Sequence, residues 1–116
     1  MDEIINNFLV NNALKYMEQH YRENLHLQDV AEHVYISQWY LSKLLKHHTK
    51  QSFLEILNHI RIEEAKKLLK NSSLKIGDIS EMVGYLSLPH FSRVFKQQTG
   101  MSAREYRNHL YEFEKR

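Results

Sequence analysis

Residues Asp78 to Glu105 read DISEMVGYLSLPHFSRVFKQQTGMSARE, and nearly every boundary in the stretch is marked. A short helix is predicted over Ile76 to Val83. Gly84 ends it, because glycine enters the left-handed region at little cost. Ser87 is a helix N-cap, with Pro89 in the first turn, where a fixed φ and a missing N–H are tolerated. The helix it opens stops at Thr99-Gly100. Ser102-Ala103-Arg104-Glu105 is a capping box, in which serine and glutamate each satisfy the other's backbone amide, and it starts a last helix.

The same order of signals occurs earlier in the chain. Asp29-Val30-Ala31-Glu32 answers to Asp78-Ile79-Ser80-Glu81 at an offset of 49, and after Gly84 the offset becomes 50. Leu41-Ser42-Lys43 then matches Phe91-Ser92-Arg93, Leu45-Lys46 matches Phe95-Lys96, and Thr49 matches Thr99. A second capping box, Ser52-Phe53-Leu54-Glu55, pairs with the one at Ser102. One helix–turn–helix unit therefore occurs twice. Two copies are too few for a solenoid, which needs about three to bury a continuous core, so a bilobed arrangement is expected. Ala31 and Ser80 are small, as two closely crossing helices require. Tyr35 stands where the second copy has Gly84, which predicts that the two turns differ slightly.

Outward from these units, Asn11 to Tyr21 reads as a first helix, with Leu14, Met17 and Tyr21 at helical spacing. Leu27 to Val34 is a short second helix, and Ser37 caps a third that runs to about Thr49. The box at Ser52 opens a long fourth helix to about Lys70. The segment up to Val10 (DEIINNFLV) reads as a linker or the tail of a preceding helix. No segment alternates with period two. The expected fold is all-α, with seven helices in two helix–turn–helix subdomains, residues 10–51 and 71–112. A linker helix over 52–70 joins them, and residues 1–9 and 113–116 flank them. Met17, Met82 and Met101 are expected to fill the core.

Composition agrees. The 116 residues suffice for one ordinary domain or two very small ones, and 42% hydrophobic with 26% charged residues is a globular balance. Three glycines and one proline favour helices. The absence of cysteine excludes disulfide scaffolds, thiolate metal sites and cysteine nucleophiles. No apolar run approaches a membrane span and Met1-Asp2-Glu3 opens no signal peptide, so a cytoplasmic location without membrane partners is expected. The net charge of +2 is small, but it is sorted. His33 to Leu54 contains Lys43, Lys46 and Lys50 and no acid, and Met82 to Arg104 contains Arg93, Lys96 and Arg104 and no acid. These windows carry +6 together and leave −4 elsewhere.

At about 100° per residue the third helix divides into two faces. Leu41, Leu44, Leu45 and His48 point inward, and Trp39, Ser42, Lys43, Lys46 and Lys50 point outward. A tryptophan amid a solvent-facing basic stripe exposes apolar area for no folding gain, so it is read as pressing on a partner. The stripe recurs in the sixth helix. There Phe91, Val94, Phe95 and Gln98 point inward, while Pro89, Ser92, Arg93 and Lys96 point outward, with His90 and Gln97 at the edges. A helix of this width fits the major groove of DNA, where lysine and arginine donate to guanine acceptors. Other basic groups neutralise phosphates and release counterions. Two such helices on one chain are expected to read adjacent major-groove segments, about one turn or 34 Å apart.

VGYLSLPHFSRVFKQQTGMSAREYR (Val83 to Arg107) closely resembles the signature of the AraC/XylS family of bacterial transcription regulators. DVAEHVYISQWYLSKLLKHHTKQSF (Asp29 to Phe53) and RIEEAKKLL (Arg61 to Leu69) fit its first half and linker helix. The resemblance covers roughly residues 10–108. It implies a seven-helix domain that binds asymmetric double-stranded sites near promoters, usually as an activator working with RNA polymerase. It places Trp39, Ser42 and Lys43 at base-contacting positions of the first recognition helix, and Leu88, Pro89, Ser92 and Arg93 at those of the second. His90 sits where the signature has tyrosine, Ser87 replaces a common aspartate, and Ala103 a common proline. The full candidate surface is Ser37, Gln38, Trp39, Ser42, Lys43 and Lys46, with Ser87, Leu88, Pro89, His90, Ser92, Arg93 and Lys96. The stretch Tyr16 to Ser37 is similar to the output domains of YesN-type response regulators. Those proteins carry a receiver domain upstream, which implies a piece of a longer protein able to dimerise through that domain; family members that stand alone at this length leave a free-standing chain as the alternative.

Two rivals are weighed against this. A helical module could use Trp39 and the lysines to hold an acidic protein. An enzyme could use some of the eight histidines. His47 and His48 are adjacent and cannot share one site on a helix. No HExxH, glycine-rich phosphate loop or Ser/His/Asp arrangement occurs, so neither catalysis nor a cofactor is expected. Arg61 is expected to pair with an acid or cap a carbonyl.

Overall fold

A computed structural model of the chain describes residues 2–114. Its helices are α1 (Glu3–His20), α2 (Leu27–His33), α3 (Gln38–Thr49), α4 (Phe53–Leu68), α5 (Ile76–Met82), α6 (Leu88–Thr99) and α7 (Ala103–Glu114). No strand occurs among the described residues. The chain forms two compact units, Met1–Leu57 and Asn58–Arg116. The division falls inside α4, and Phe53, Ile56 and Leu57, which belong to the first unit, are buried.

In the first unit α1 packs on α2 and α3, and α2 packs on α3. Val10, Ala13 and Met17 of α1 meet a core that contains Val30, Ala31, Val34, Leu41, Leu44 and Leu45. Each larger apolar side chain so buried contributes about 1.5–3 kcal/mol. In the second unit α6 packs on α5 and α7, around Ile79, Val83, Phe91, Val94 and Phe95. Ile62 and Ala65 of α4, and Leu69 just past its end, are buried in the same unit.

α1 corrects the sequence reading. It starts at Glu3, so residues 3–9 are helix and not linker. Asp2 caps it by accepting a hydrogen bond from the Ile4 amide at 2.9 Å. Asn6, one turn in, accepts a 2.7 Å hydrogen bond from the Tyr40 hydroxyl of α3. Ile4 and Phe8 stay exposed, so the segment lacks the inward apolar stripe by which amphipathic helices are recognised. At the other end α7 runs to Glu114 and takes in the start of the expected tail, 113–116; the rest of that tail lies outside the described residues, as does Met1.

The two helix–turn–helix turns open with the same hydrogen bonds and then differ slightly, as expected, because the second holds one more residue before its cap. Tyr35 N donates to Glu32 O (3.3 Å) and Ile36 N to Ala31 O (3.1 Å). Gly84 N donates to Glu81 O and Tyr85 N to Ser80 O, both at 3.0 Å. Tyr35 has φ 61° and Gly84 φ 104°, so tyrosine takes up a left-handed conformation that suits glycine. The repeat's extra residue is therefore Leu86, between buried Tyr85 and the cap Ser87, and it projects into solvent, 88% exposed. The parallel continues at the ends of α3 and α6, where Lys50 (φ 64°) and Gly100 (φ 81°) are both left-handed. Thr49 and Thr99 each donate back to the carbonyl four residues earlier, at 2.6 and 2.8 Å.

The expected caps are formed. Ser37 Oγ accepts from Tyr40 N at 3.1 Å and Ser87 Oγ from His90 N at 3.2 Å. Both capping boxes close reciprocally, with Ser52 N donating to Glu55 at 3.0 Å and Ser102 N to Glu105 at 3.1 Å. Ala31 and Ser80 are both buried at the helix crossings, and the Ser80 hydroxyl has no hydrogen-bond partner there. Met17 is buried, but Met82 is 40% exposed and Met101 half-buried, so only the first is a core residue. Gln98, expected on the inward face of α6, is exposed; the apolar stripe of α6 stops at Phe95.

Candidate nucleic-acid interface

α3 is held from beneath by Leu41, Leu44 and Leu45, all buried, which fixes its opposite face toward solvent. Ser37, Gln38, Trp39, Ser42, Lys43 and Lys46 are all exposed on it. Trp39 is 66% exposed, and the Lys43 ammonium lies 4.2 Å from the centre of its ring. This is an i,i+4 cation–π pair, worth about 0.5–1 kcal/mol at an exposed site. It holds a flat apolar ring and a positive charge together on the outer surface. His48 points inward as expected, half-buried, with Nδ1 3.0 Å from Leu44 O.

α6 repeats the arrangement. Phe91, Val94 and Phe95 are buried, and Ser87, Leu88, Pro89, His90, Ser92, Arg93 and Lys96 are exposed. The His90 ring stands edge-on to Tyr85, 5.2 Å between centres, which steadies it at the rim. Pro89 occupies the first turn, where no backbone hydrogen bond is lost.

The second basic residue of the first stripe faces an acid. Lys46 Nζ lies 3.9 Å from Glu55 Oε1 in the next helix's capping box. The Glu55 carboxyl is held below the usual glutamate range, chiefly by the Ser52 backbone amide and hydroxyl and to a lesser degree by Lys46. Glu105 is lowered in the same way by Ser102, with Lys96 and His109 adding smaller effects. Both glutamates are the expected caps; the reach of Glu55 to Lys46 across the turn is not signalled by the capping pattern. The Trp39–Lys43 stack was also missed, although its four-residue spacing signals it.

Arg61 of α4 is set apart from the exposed cations by its burial. It is 9% exposed, with its guanidinium 5.3 Å from the centre of the Tyr85 ring. The Tyr85 hydroxyl donates to Asn58 Oδ1 at 2.7 Å. Burial pushes the Tyr85 phenol up to about 12, against an opposing pull from Arg61, so it stays protonated. Arg61 is thus a buried cation packed on Tyr85. Among the described residues no group of three or more His, Cys, Asp or Glu side chains could hold a metal ion, and no helix is long and apolar enough to cross a membrane.

A family model described as a helix-turn-helix domain matches residues 30–109, which takes in both turns and both basic helices. The chain belongs to the AraC/XylS-type helix-turn-helix family. Among relatives of this AraC-type domain, the regulatory protein PocR of Salmonella typhimurium is 35% identical over 100 residues, 86% of this chain and 33% of PocR. The C-terminal domain of AraT, a response regulator from Geobacillus stearothermophilus, superposes with a TM-score of 0.82 at 38% identity, over 86% of this chain and 84% of that one. The C-terminal domain of the two-component response regulator yesN from Fusobacterium nucleatum gives 0.77 at 29% identity, over 82% and 93%. The AraC-type chain spans about a third of the length of the curated relatives it matches.

Proposed function

We propose that this AraC-type chain binds double-stranded promoter DNA in a sequence-dependent way and regulates transcription, lying in the cytoplasm as the DNA-binding part of a longer regulator. α3 and α6 are its recognition helices, each laid in a major-groove segment of one duplex. The observation that carries this reading is the equivalence of the two helices. Both expose a Ser-Lys/Arg-x-x-Lys stripe while burying the opposite face, and both are second helices of a helix–turn–helix unit. A stripe exposed once is an ordinary solvated face. One retained in two copies whose other surface residues have diverged points to a repeated ligand, and a duplex supplies one.

Within the proposal, Lys43 and Arg93 donate to base edges, Ser42 and Ser92 approach closely enough for hydroxyl contacts, and Trp39 lies against sugar and thymine methyl groups. Ser37, Gln38, Ser87 and His90 flank the helix starts, where the backbone amides that the serine caps leave free donate to phosphates. Leu88 and Pro89 offer apolar contact, and Lys46 and Lys96 neutralise phosphate. Transcription activation through RNA polymerase and dimerisation through an upstream domain extend the same reading. The test is selection of bound duplexes from a random pool, repeated at two salt concentrations. Lys43→Ala and Arg93→Ala should each weaken binding to the selected duplex by about 1–3 kcal/mol and relax the preference at separate positions. Binding with no sequence preference, or two substitutions without effect, would falsify the assignment.

A further inference from the structure

The second unit carries a basic cleft that the two recognition stripes do not use. It has a volume of about 520 Å³ and is lined by Lys75, Gly77, Leu88, Arg104 and Arg107 among others. No acidic side chain lines it. Neither Lys75 nor Arg104 has an ion-pair partner among the described residues, and both are exposed. The surrounding backbone is tied down. Arg107 donates from Nε to Leu69 O at 3.0 Å and from Nη2 to Asn71 O at 3.2 Å, which joins α7 to the end of α4. Asn71 Oδ1 accepts from Ser73 N at 3.1 Å and from Ser73 Oγ at 2.7 Å, and Asn71 O also accepts from Leu74 N at 3.1 Å. The loop that delivers Lys75 is thus fixed before any ligand arrives. Leu88 forms one wall of the cleft, and Ser92, one helical turn further along the same face, belongs to the exposed stripe of α6.

We propose that Lys75 and Arg104 clamp one backbone phosphate of the duplex whose groove α6 enters, a contact that rests on the DNA-binding reading above. Two unpaired cations lining one cleft, with no carboxylate in its lining, form an anion site. Its position against Leu88 puts that anion at the edge of the recognition helix, where a groove-bound helix meets the sugar–phosphate strand. Arg107 is a positioning residue, since its donors are spent on the two carbonyls. The clamp is not duplicated. By the repeat offsets the corresponding positions of the first unit are His26 and Leu54, so the second unit alone gains this anchor. The consequence is an asymmetric division of labour, with stronger phosphate anchoring on the α6 side.

The test uses the whole chain and one duplex recovered by its own selection, with affinity measured by fluorescence anisotropy across a salt series. Neutralising one phosphate contributes about 0.9 to the slope of log affinity against log salt. Lys75→Gln with Arg104→Gln should therefore lower that slope by roughly 1 and weaken binding several-fold, with base preference and melting temperature unchanged. Lys15→Gln, which removes an exposed charge from α1, serves as the control and should leave the slope alone. Replacing phosphates one at a time by methylphosphonate should reveal one position that weakens the wild type but not the double variant. A slope equal to wild type, or no such position, overturns the clamp while leaving DNA binding standing. A changed base preference places the pair on base edges and overturns it too. Failure of the wild type to select any duplex removes the DNA-binding reading, and the clamp with it.

Discussion

Tyr35 holds a left-handed backbone at φ 61° with its side chain 93% exposed, in a turn whose sister is built on Gly84. For a residue with a Cβ that conformation costs about 1–2 kcal/mol. Glycine would relieve it, against about 0.5–1 kcal/mol for its freer unfolded chain. Tyr35→Gly should therefore stabilise the fold by roughly 0.5–1 kcal/mol, seen as a rise of a few degrees in Tm. A lower Tm would mean that the ring packs on the turn. The position was legible as a mismatch between the copies, but its meaning was not. A pattern of residue types does not report φ, so the mismatch drew the difference to position 35, where the backbone hydrogen bonds repeat, whereas the turns differ in length at Leu86. Trp39, by contrast, was readable from spacing alone, because three buried leucines leave only one direction for it to face.

Among the helices, the capping boxes give the clearest electrostatic signature. Glu55 and Glu105 have folded pKa values depressed below the ordinary 4.5, chiefly by the amides of Ser52 and Ser102. A depressed carboxylate contributes stability above its unfolded pKa and loses it as pH falls through the folded value. A Glu55→Gln/Glu105→Gln chain keeps the acceptors but does not titrate. Its Tm deficit relative to wild type should be present near about pH 6 and shrink toward about pH 3. A deficit that does not change with pH would mean that the carboxylate charge is not what closes the boxes. These boxes, the two serine caps and the glycine stops were all legible, because each is a local pattern of donors and acceptors. The start of α1 was not, because Ile4 and Phe8 bury nothing and the tie that orders the segment, Asn6 to Tyr40, spans 34 residues. The cleft at Lys75 and Arg104 was illegible for the same reason: a loop and a distant helix meet there, and no local pattern announces it.

For the molecule as a whole, duplication explains both what the chain repeats and what it does not. The two units share caps, turn hydrogen bonds and basic stripes, yet only the first carries a tryptophan on its stripe and only the second the cleft of Lys75 and Arg104. Since this is the chain's one tryptophan, the asymmetry provides an optical label that needs no engineering. Light emitted by Trp39 reports the first unit alone. Addition of the selected duplex should quench it and shift its emission to shorter wavelength as water leaves the indole. In a Lys75→Gln/Arg104→Gln chain saturated with the same duplex, the end-point spectrum should match the wild type's even though more DNA is needed to reach it. An unchanged spectrum on saturation would take the indole out of the contact and leave the second unit to do the docking.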